Sequence, residues 1–214
     1  MKYMKHLVII GARGWGREVY AQAKFSQGYQ EEYDIKGFLD DKVNALDGMY
    51  GYPPILSSVE AYIPQPDDVF ICALGDNAWR KHYAEIILKK GGQFINLIHK
   101  LAFIGQNTKL GIGCIIGHEV SLSCDIVIGD FVNFQRLVDV GHDVRIGNYC
   151  SLGNKSFMGG GASIGDGTIV HTGAIILPHI HVGNDCIVGA GAVVIKKVKD
   201  GETVFGNPAK VLKY

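Results

Sequence analysis

The chain has 214 residues, 47% of them hydrophobic, and its 21 lysines and arginines balance 21 aspartates and glutamates. That length can bury one large core or two small ones, and the zero net charge supplies no field to draw in nucleic acid or an anionic membrane. Five cysteines without a CxxC pair or zinc-finger spacing suggest neither a disulfide framework nor a structural zinc site.

The opening "MKYMKHLVIIGARG" reads as a first strand running into a glycine turn rather than a secretory leader, and no stretch reaches the roughly 18 apolar residues of a membrane span. A cytoplasmic protein with no membrane insertion and reduced thiols is expected. Residues 1–100 then alternate. "HLVIIGARGWGREVYAQAK" is strand, turn and helix, "YDIKGFLDD" is a strand ending in acids, "DVFICALGDNAWRKHYAEIILKKGG" repeats strand, turn and helix, and "FINLIH" is a last strand. The proline-bearing "SSVEAYIPQPDD" is an irregular connection. This order predicts a small α/β domain on a parallel sheet, with a boundary near residue 100.

Gly11, Gly14 and Gly16 of "GARGWGRE" depart from the dinucleotide spacing GxGxxG. A glycine turn between strand and helix still offers N–H groups and a positive dipole end to a phosphate, although a tight turn without ligand has the same residues. Asp40 and Asp41 end the second strand and Gly75 follows the third. In a doubly wound sheet these strand ends converge on one crevice, where carboxylates meet a ribose or a base; the alternative for the two acids is a solvated turn.

From residue 101 to 214 the pattern changes. Stepping by six from Ile104 to Val194 meets sixteen apolar residues in unbroken phase, with glycine next in eleven cases and a small or β-branched residue four positions on. Neither helical nor two-residue periodicity explains this. A coil with flat sides does: each side is a short strand, each corner a turn, and three sides make an eighteen-residue rung stacked about 4.8 Å from the next. The glycines suit corners that need positive φ or lack room for a side chain. Cys114, Cys150 and Cys186 fall in one inward column and read as packing.

His142, beside Asp143, sits on the outer side of a corner in "GHDVRIGNYCSLGN". A neutral imidazole there can act as a general base with Asp143 orienting it, and an exposed turn histidine is the competing reading. His118, His171, His179 and His181 fall at no multiple of eighteen from His142, so no metal site is expected.

Over nearly its whole length the chain resembles the hexapeptide-repeat sugar acetyltransferases of the NeuD/PglD type, on "GARGWG", "GFLDD", "ALGDN", the hexads, "HDVRIG" and the terminal "VFGNPAKVL". The resemblance implies a Rossmann-like α/β domain followed by a left-handed parallel β-helix, assembly as a homotrimer, and acetyl-CoA as cosubstrate. It implies N-acetylation of a nucleotide-linked amino sugar, with O-acetylation of a sugar such as a sialic acid as the alternative enzyme and a trimeric nucleotide-binding scaffold as the non-enzymatic one. It makes His142 and Asp143 the catalytic pair. Gly160, one rung on, becomes the residue whose N–H faces the thioester carbonyl. Thr172 and Ala190 line the coenzyme A groove, and Gly206, Pro208 and Lys210 close over it. Gly11, Arg13, Gly14, Trp15, Asp40, Asp41 and Gly75 hold the sugar nucleotide. Two departures stand out: Trp15 occupies a loop that often reads Gly-His-Gly, and Ser151, which the resemblance places among the cofactor-binding residues, replaces a histidine nine residues after the base.

Overall fold

The computed structural model describes residues 4–212, which divide into a unit ending at Leu97 and one beginning at Ile98. The first is built on five parallel strands: β1 (Lys5–Ile10), β2 (Tyr33–Leu39), β3 (Ile55–Ser57), β4 (Asp68–Cys72) and β5 (Gln93–Phe94), in the order β3-β2-β1-β4-β5. Helix α1 (Gly14–Ala23) follows β1 and α2 (Asn77–Lys89) follows β4. The central strand is buried along Leu7–Ile10, which is why "LVII" reads as a continuous apolar run rather than an alternation. Its order reverses between β1 and β4, the place where doubly wound sheets open a crevice.

Two local features differ from the expected elements. The connection read as irregular is preceded by the short edge strand β3, and "FINLIH" does not remain one strand. Phe94 is buried within β5, whereas His99 already donates its N–H to Ile116 O at 3.0 Å in the next unit. The N-terminal edge of β4 carries a buried polar knot: the Asp68 carboxylate accepts from Lys36 Nζ at 2.7 Å, Tyr62 Oη at 2.7 Å and Gln65 N at 2.8 Å. Burial alone would raise the Asp68 pKa, but these three donors overcome it and hold it below the usual carboxylate value.

The second unit is a triangular prism of two-residue parallel strands in register eighteen residues apart: Ser121 pairs with Phe103 and Asp139, Val127 with Lys109 and Arg145, and Asn133 with Ile115 and Ser151. The large hexad residues and their small partners fill the interior, from Cys114 and Ile116 to Val194 and Val198. At the far end Thr203–Phe205 and Lys210–Val211 form an antiparallel pair on the third sheet, with Gly206 at φ 98° between them.

The repeated glycines serve clearance, not positive φ. A Cβ on Gly105 would lie 2.4 Å from Ser123 O, on Gly141 2.7 Å from Gly160 N, and on Gly153 2.6 Å from Thr172 N. Positive φ occurs two residues later, at every sixth residue from Asn107 to Gly191, with values of 51° to 68°. Ten of these fifteen corner residues are not glycine. The rungs impose the conformation: Asp143 N–H is held by Cys124 O at 3.1 Å and Gly161 N–H by His142 O at 2.8 Å.

Candidate functional site

The residues preceding the positive-φ positions share one place on each corner of the prism. On one edge their N–H groups form a ladder: Asp130 N donates to Asn148 Oδ1 at 2.8 Å, Asn148 N to Asp166 Oδ1 at 2.7 Å, and Asp166 N to Asn184 Oδ1 at 2.9 Å. Each acceptor belongs to the residue eighteen positions on. The edge bearing Cys124, His142, Gly160 and Pro178 breaks this rule, because above His142 stands a glycine and above Gly160 a proline. Among the described residues the N–H groups of His142 and Gly160 accordingly have no acceptor. An unpaired backbone donor on such an accessible edge is suited to hold a carbonyl oxygen or an anion.

His142 stands beside that donor. Its Nδ1 is 2.7 Å from Asp143 Oδ2, and both side chains are well exposed, at 61% and 67%. An ionised carboxylate only accepts, so this contact places the proton on Nδ1 and leaves Nε2 as a bare acceptor. Nε2 is turned over Gly160: a Cβ there would lie 2.7 Å from it. One rung below, Asp125 is held under the usual carboxylate pKa by the Asn107 amide at 2.9 Å and then by the Cys124 thiol.

Thr172 and Ala190 lie together on a different edge, both exposed, with N–H groups also unpaired among the described residues. Ser151, half-buried, lies on the face opposite the His142 edge. A single prism therefore brings His142, Asp143 and Gly160 together but not Ser151, Thr172 or Ala190. Ala209 N donates to Val193 O at 2.8 Å and fastens the tail of Gly206, Pro208 and Lys210, in which Pro208 and Lys210 are exposed.

In the first unit a cleft of about 420 Å3 opens at the carboxyl ends of β1 and β2. Gly11, Arg13, Asp40 and Asp41 line it, and Gly14, Trp15 and Gly75 lie outside its lining. Gly11 takes φ 98°, and Gly16 lets α1 start against the loop, since a Cβ there would lie 1.9 Å from Gly11 O. Asp40 accepts from Ala12 N and Lys42 N, each at 2.9 Å. Asp41 accepts from Val59 N at 3.3 Å and from the Tyr83 hydroxyl, whose pKa is raised by burial and then by that carboxylate. Sequence reading missed Tyr83 and Trp79, which line the same cleft, their rings stacked at 5.6 Å and Trp79 54% exposed. Their spacing of four on α2 places both on one helix face, a signal that was available.

No described helix is long and apolar enough to cross a membrane, and the described residues contain no group of three or more His, Cys, Asp or Glu able to hold a metal.

Comparison with known proteins matches residues 6–87 to the PglD N-terminal domain and residues 161–196 to the bacterial transferase hexapeptide. The GDP-perosamine N-acetyltransferase of Escherichia coli O157:H7 is 30% identical over 96% of this chain and 95% of its own length. The crystal structure of PerB from Caulobacter crescentus, in complex with CoA and GDP-perosamine, covers 99% of both chains with a TM-score of 0.88 and 28% identity. The acetyltransferase domain of PglB from Neisseria gonorrhoeae, in complex with acetyl coenzyme A, covers 98% of this chain and 100% of its own with a TM-score of 0.86 and 26% identity. The prism is thus of the left-handed parallel β-helix type. With a relative aligned end to end and a family model falling on each unit, the chain belongs to the PglD-type hexapeptide-repeat sugar acetyltransferases.

Proposed function

We propose that this enzyme transfers the acetyl group of acetyl-CoA to the amino group of a nucleotide-linked sugar, with His142 as general base. The observation that carries this reading is the bare Nε2 of His142, fixed by Asp143 and turned over Gly160 with its unpaired N–H. Nε2 takes the proton of the amine as its nitrogen bonds to the acetyl carbon. The Gly160 N–H meets the charge that gathers on the carbonyl oxygen, and the carbon–sulfur bond breaks as that charge returns. His142 then returns its proton to the departing thiolate, and Asp143 stabilises the imidazolium in between. Neither a metal nor an acyl-enzyme enters this sequence.

The first unit holds the nucleotide, with Gly11, Arg13, Asp40 and Asp41 around the cleft and Trp79 offering an aromatic face to a base. Of the relatives named above, one is a GDP-perosamine N-acetyltransferase and another binds GDP-perosamine beside CoA, and an amino sugar carried on a nucleoside diphosphate is the acceptor class proposed here. The cofactor groove is proposed to lie between two copies in a homotrimer. What supports this is that Thr172, Ala190 and Ser151 are remote from the His142 edge within one prism, so one copy supplies the base and its neighbour the opposing wall.

Thiol release from acetyl-CoA against UDP-, GDP- and dTDP-linked amino sugars, with a sialic acid as the hydroxyl acceptor, tests the reading. One amino sugar should turn over, and His142→Ala should lose at least about a hundredfold. Turnover that survives the substitution removes His142 from the chemistry, and acetylation of the hydroxyl acceptor alone replaces N- by O-transfer.

A further inference from the structure

We propose that His179 is a second hydrogen-bond donor at the acyl-transfer centre, acting with the Gly160 N–H on the acetyl carbonyl oxygen. This rests on the acetyltransferase reading of the His142 edge and adds a catalytic residue to it.

His179 occupies the positive-φ corner of the rung above Gly161, at φ 61°, and its own N–H holds Gly160 O at 3.0 Å. Its imidazole folds back over the glycine beneath, so that a Cβ on Gly161 would lie 2.5 Å from Nδ1 and 2.9 Å from Cε1. His142 folds toward the same place from below, over Gly160. The Gly160–Gly161 peptide is therefore bracketed by two imidazoles, one from the preceding rung and one from the following rung. The triplet Gly159–Gly160–Gly161 finds its reason here: a Cβ at 159 would strike Pro178 N at 2.5 Å, and one at either other position would strike an imidazole.

Both neighbours of the free N–H are thus accounted for. Pro178 leaves it unpaired by supplying no acceptor, and His179, next in the chain, brings a ring whose nitrogens bond to nothing among the described residues. The ring is exposed, so it is open to a ligand bound at the edge. An imidazole always carries at least one N–H to donate. Developing negative charge is best met by more than one preorganised donor, and removing one such donor commonly lowers turnover about 10²- to 10³-fold. The proton inventory is unchanged: His142 takes and returns the transferred proton, while His179 keeps its own and only donates a hydrogen bond.

The test is His179→Gly, with His179→Asn as a second variant, because both residues accept positive φ and keep the corner. Turnover with the best amino-sugar acceptor is measured alongside the dissociation constants of acetyl-CoA and CoA, the latter lacking the carbonyl. The expected result is a kcat for His179→Gly about a hundredfold lower, with KM for the sugar unchanged. The preference for acetyl-CoA over CoA should also be reduced, the Gly160 N–H remaining, and turnover should be partly restored by free imidazole entering the space over Gly161. A wild-type enzyme that is active, beside variants within about twofold of it in kcat and with the same acetyl-CoA to CoA ratio, overturns the role of His179 alone. A wild-type protein that binds no acetyl-CoA overturns the acetyltransferase reading and this inference with it.

Discussion

The imidazole of His142 lies against the α-carbon of Gly160, the residue eighteen positions later, and a methyl group at 160 would come within 2.7 Å of Nε2. The obstacle is an exposed side chain that can swing away, so Gly160→Ala should leave the melting temperature within a few degrees of wild type while displacing the His142 imidazole. Turnover should fall at least about tenfold. Gly141→Ala is the contrast, because its Cβ would meet backbone, at 2.7 Å from Gly160 N and 3.0 Å from Gly160 Cα. Overpacking of that kind costs about 1–3 kcal/mol. Thermal melting and turnover of the two variants separate the effects.

Asp143 combines a corner conformation with a contact to His142. At φ 59° it tolerates replacement by asparagine, whereas alanine adds strain of about 1–2 kcal/mol. Asp143→Asn should therefore keep the fold and lower kcat by at least about tenfold, because an amide can neither stabilise imidazolium nor fix the tautomer as a carboxylate does. Equal activity of Asp143→Asn and wild type would make the contact with His142 incidental.

Pro178 keeps the Gly160 N–H free. Pro178→Asn places at that rung the same side chain that, at Asn148 and Asn184, accepts the N–H eighteen residues earlier. The new amide oxygen should capture Gly160 N–H, raising stability by about 0.5–1.5 kcal/mol and lowering turnover. A variant that gains stability with full activity would show that this donor is not used in the reaction.

Trp79→Ala removes the exposed aromatic face of the cleft while leaving Tyr83 on Asp41. Stacking of a base on an aromatic ring contributes about 1–3 kcal/mol. The sugar nucleotide should bind at least about fivefold more weakly, with acetyl-CoA affinity unchanged, as titration calorimetry with each ligand would reveal.

His99 links the second unit to pH. Burial first, and then the neighbouring His118 ring at 4.8 Å, push its pKa below the ordinary value, with Glu119 opposing. Its Nδ1 accepts the Leu101 N–H at 3.1 Å, which requires an unprotonated nitrogen. The unfolded chain takes up this proton near pH 6.5 and the native chain resists it, so stability is full above about pH 6.5 and falls as pH drops below it. Urea midpoints should fall between about pH 7.5 and 5.5, and less so in His99→Gln, which cannot titrate. Equal slopes in the two proteins would assign the acid sensitivity elsewhere.

The hexad period was readable in the sequence because a prism with eighteen-residue rungs must place a large apolar residue at the same point of every side, and sixteen in phase leave no other regular structure. The strand "LVII" and the acid-ended "GFLDD" were equally legible, since a sheet covered on both faces demands unbroken apolar runs and opens its crevice at strand ends. His142 beside Asp143 was visible as a pair of adjacent letters. What the glycines do was not: the letter is the same whether it relieves positive φ or clears a neighbouring rung, and only the stacked backbone shows that clearance prevails at Gly141 and Gly153 while positive φ falls on residues such as Asp143. Trp79 and Tyr83 reach the cleft through the direction of one helix face, and His179 reaches Gly161 through a rung eighteen residues away. Periodicity is a property of the chain and survives in the sequence, whereas which side chain bends toward which neighbour, and which N–H is left without an acceptor, is decided by packing in three dimensions.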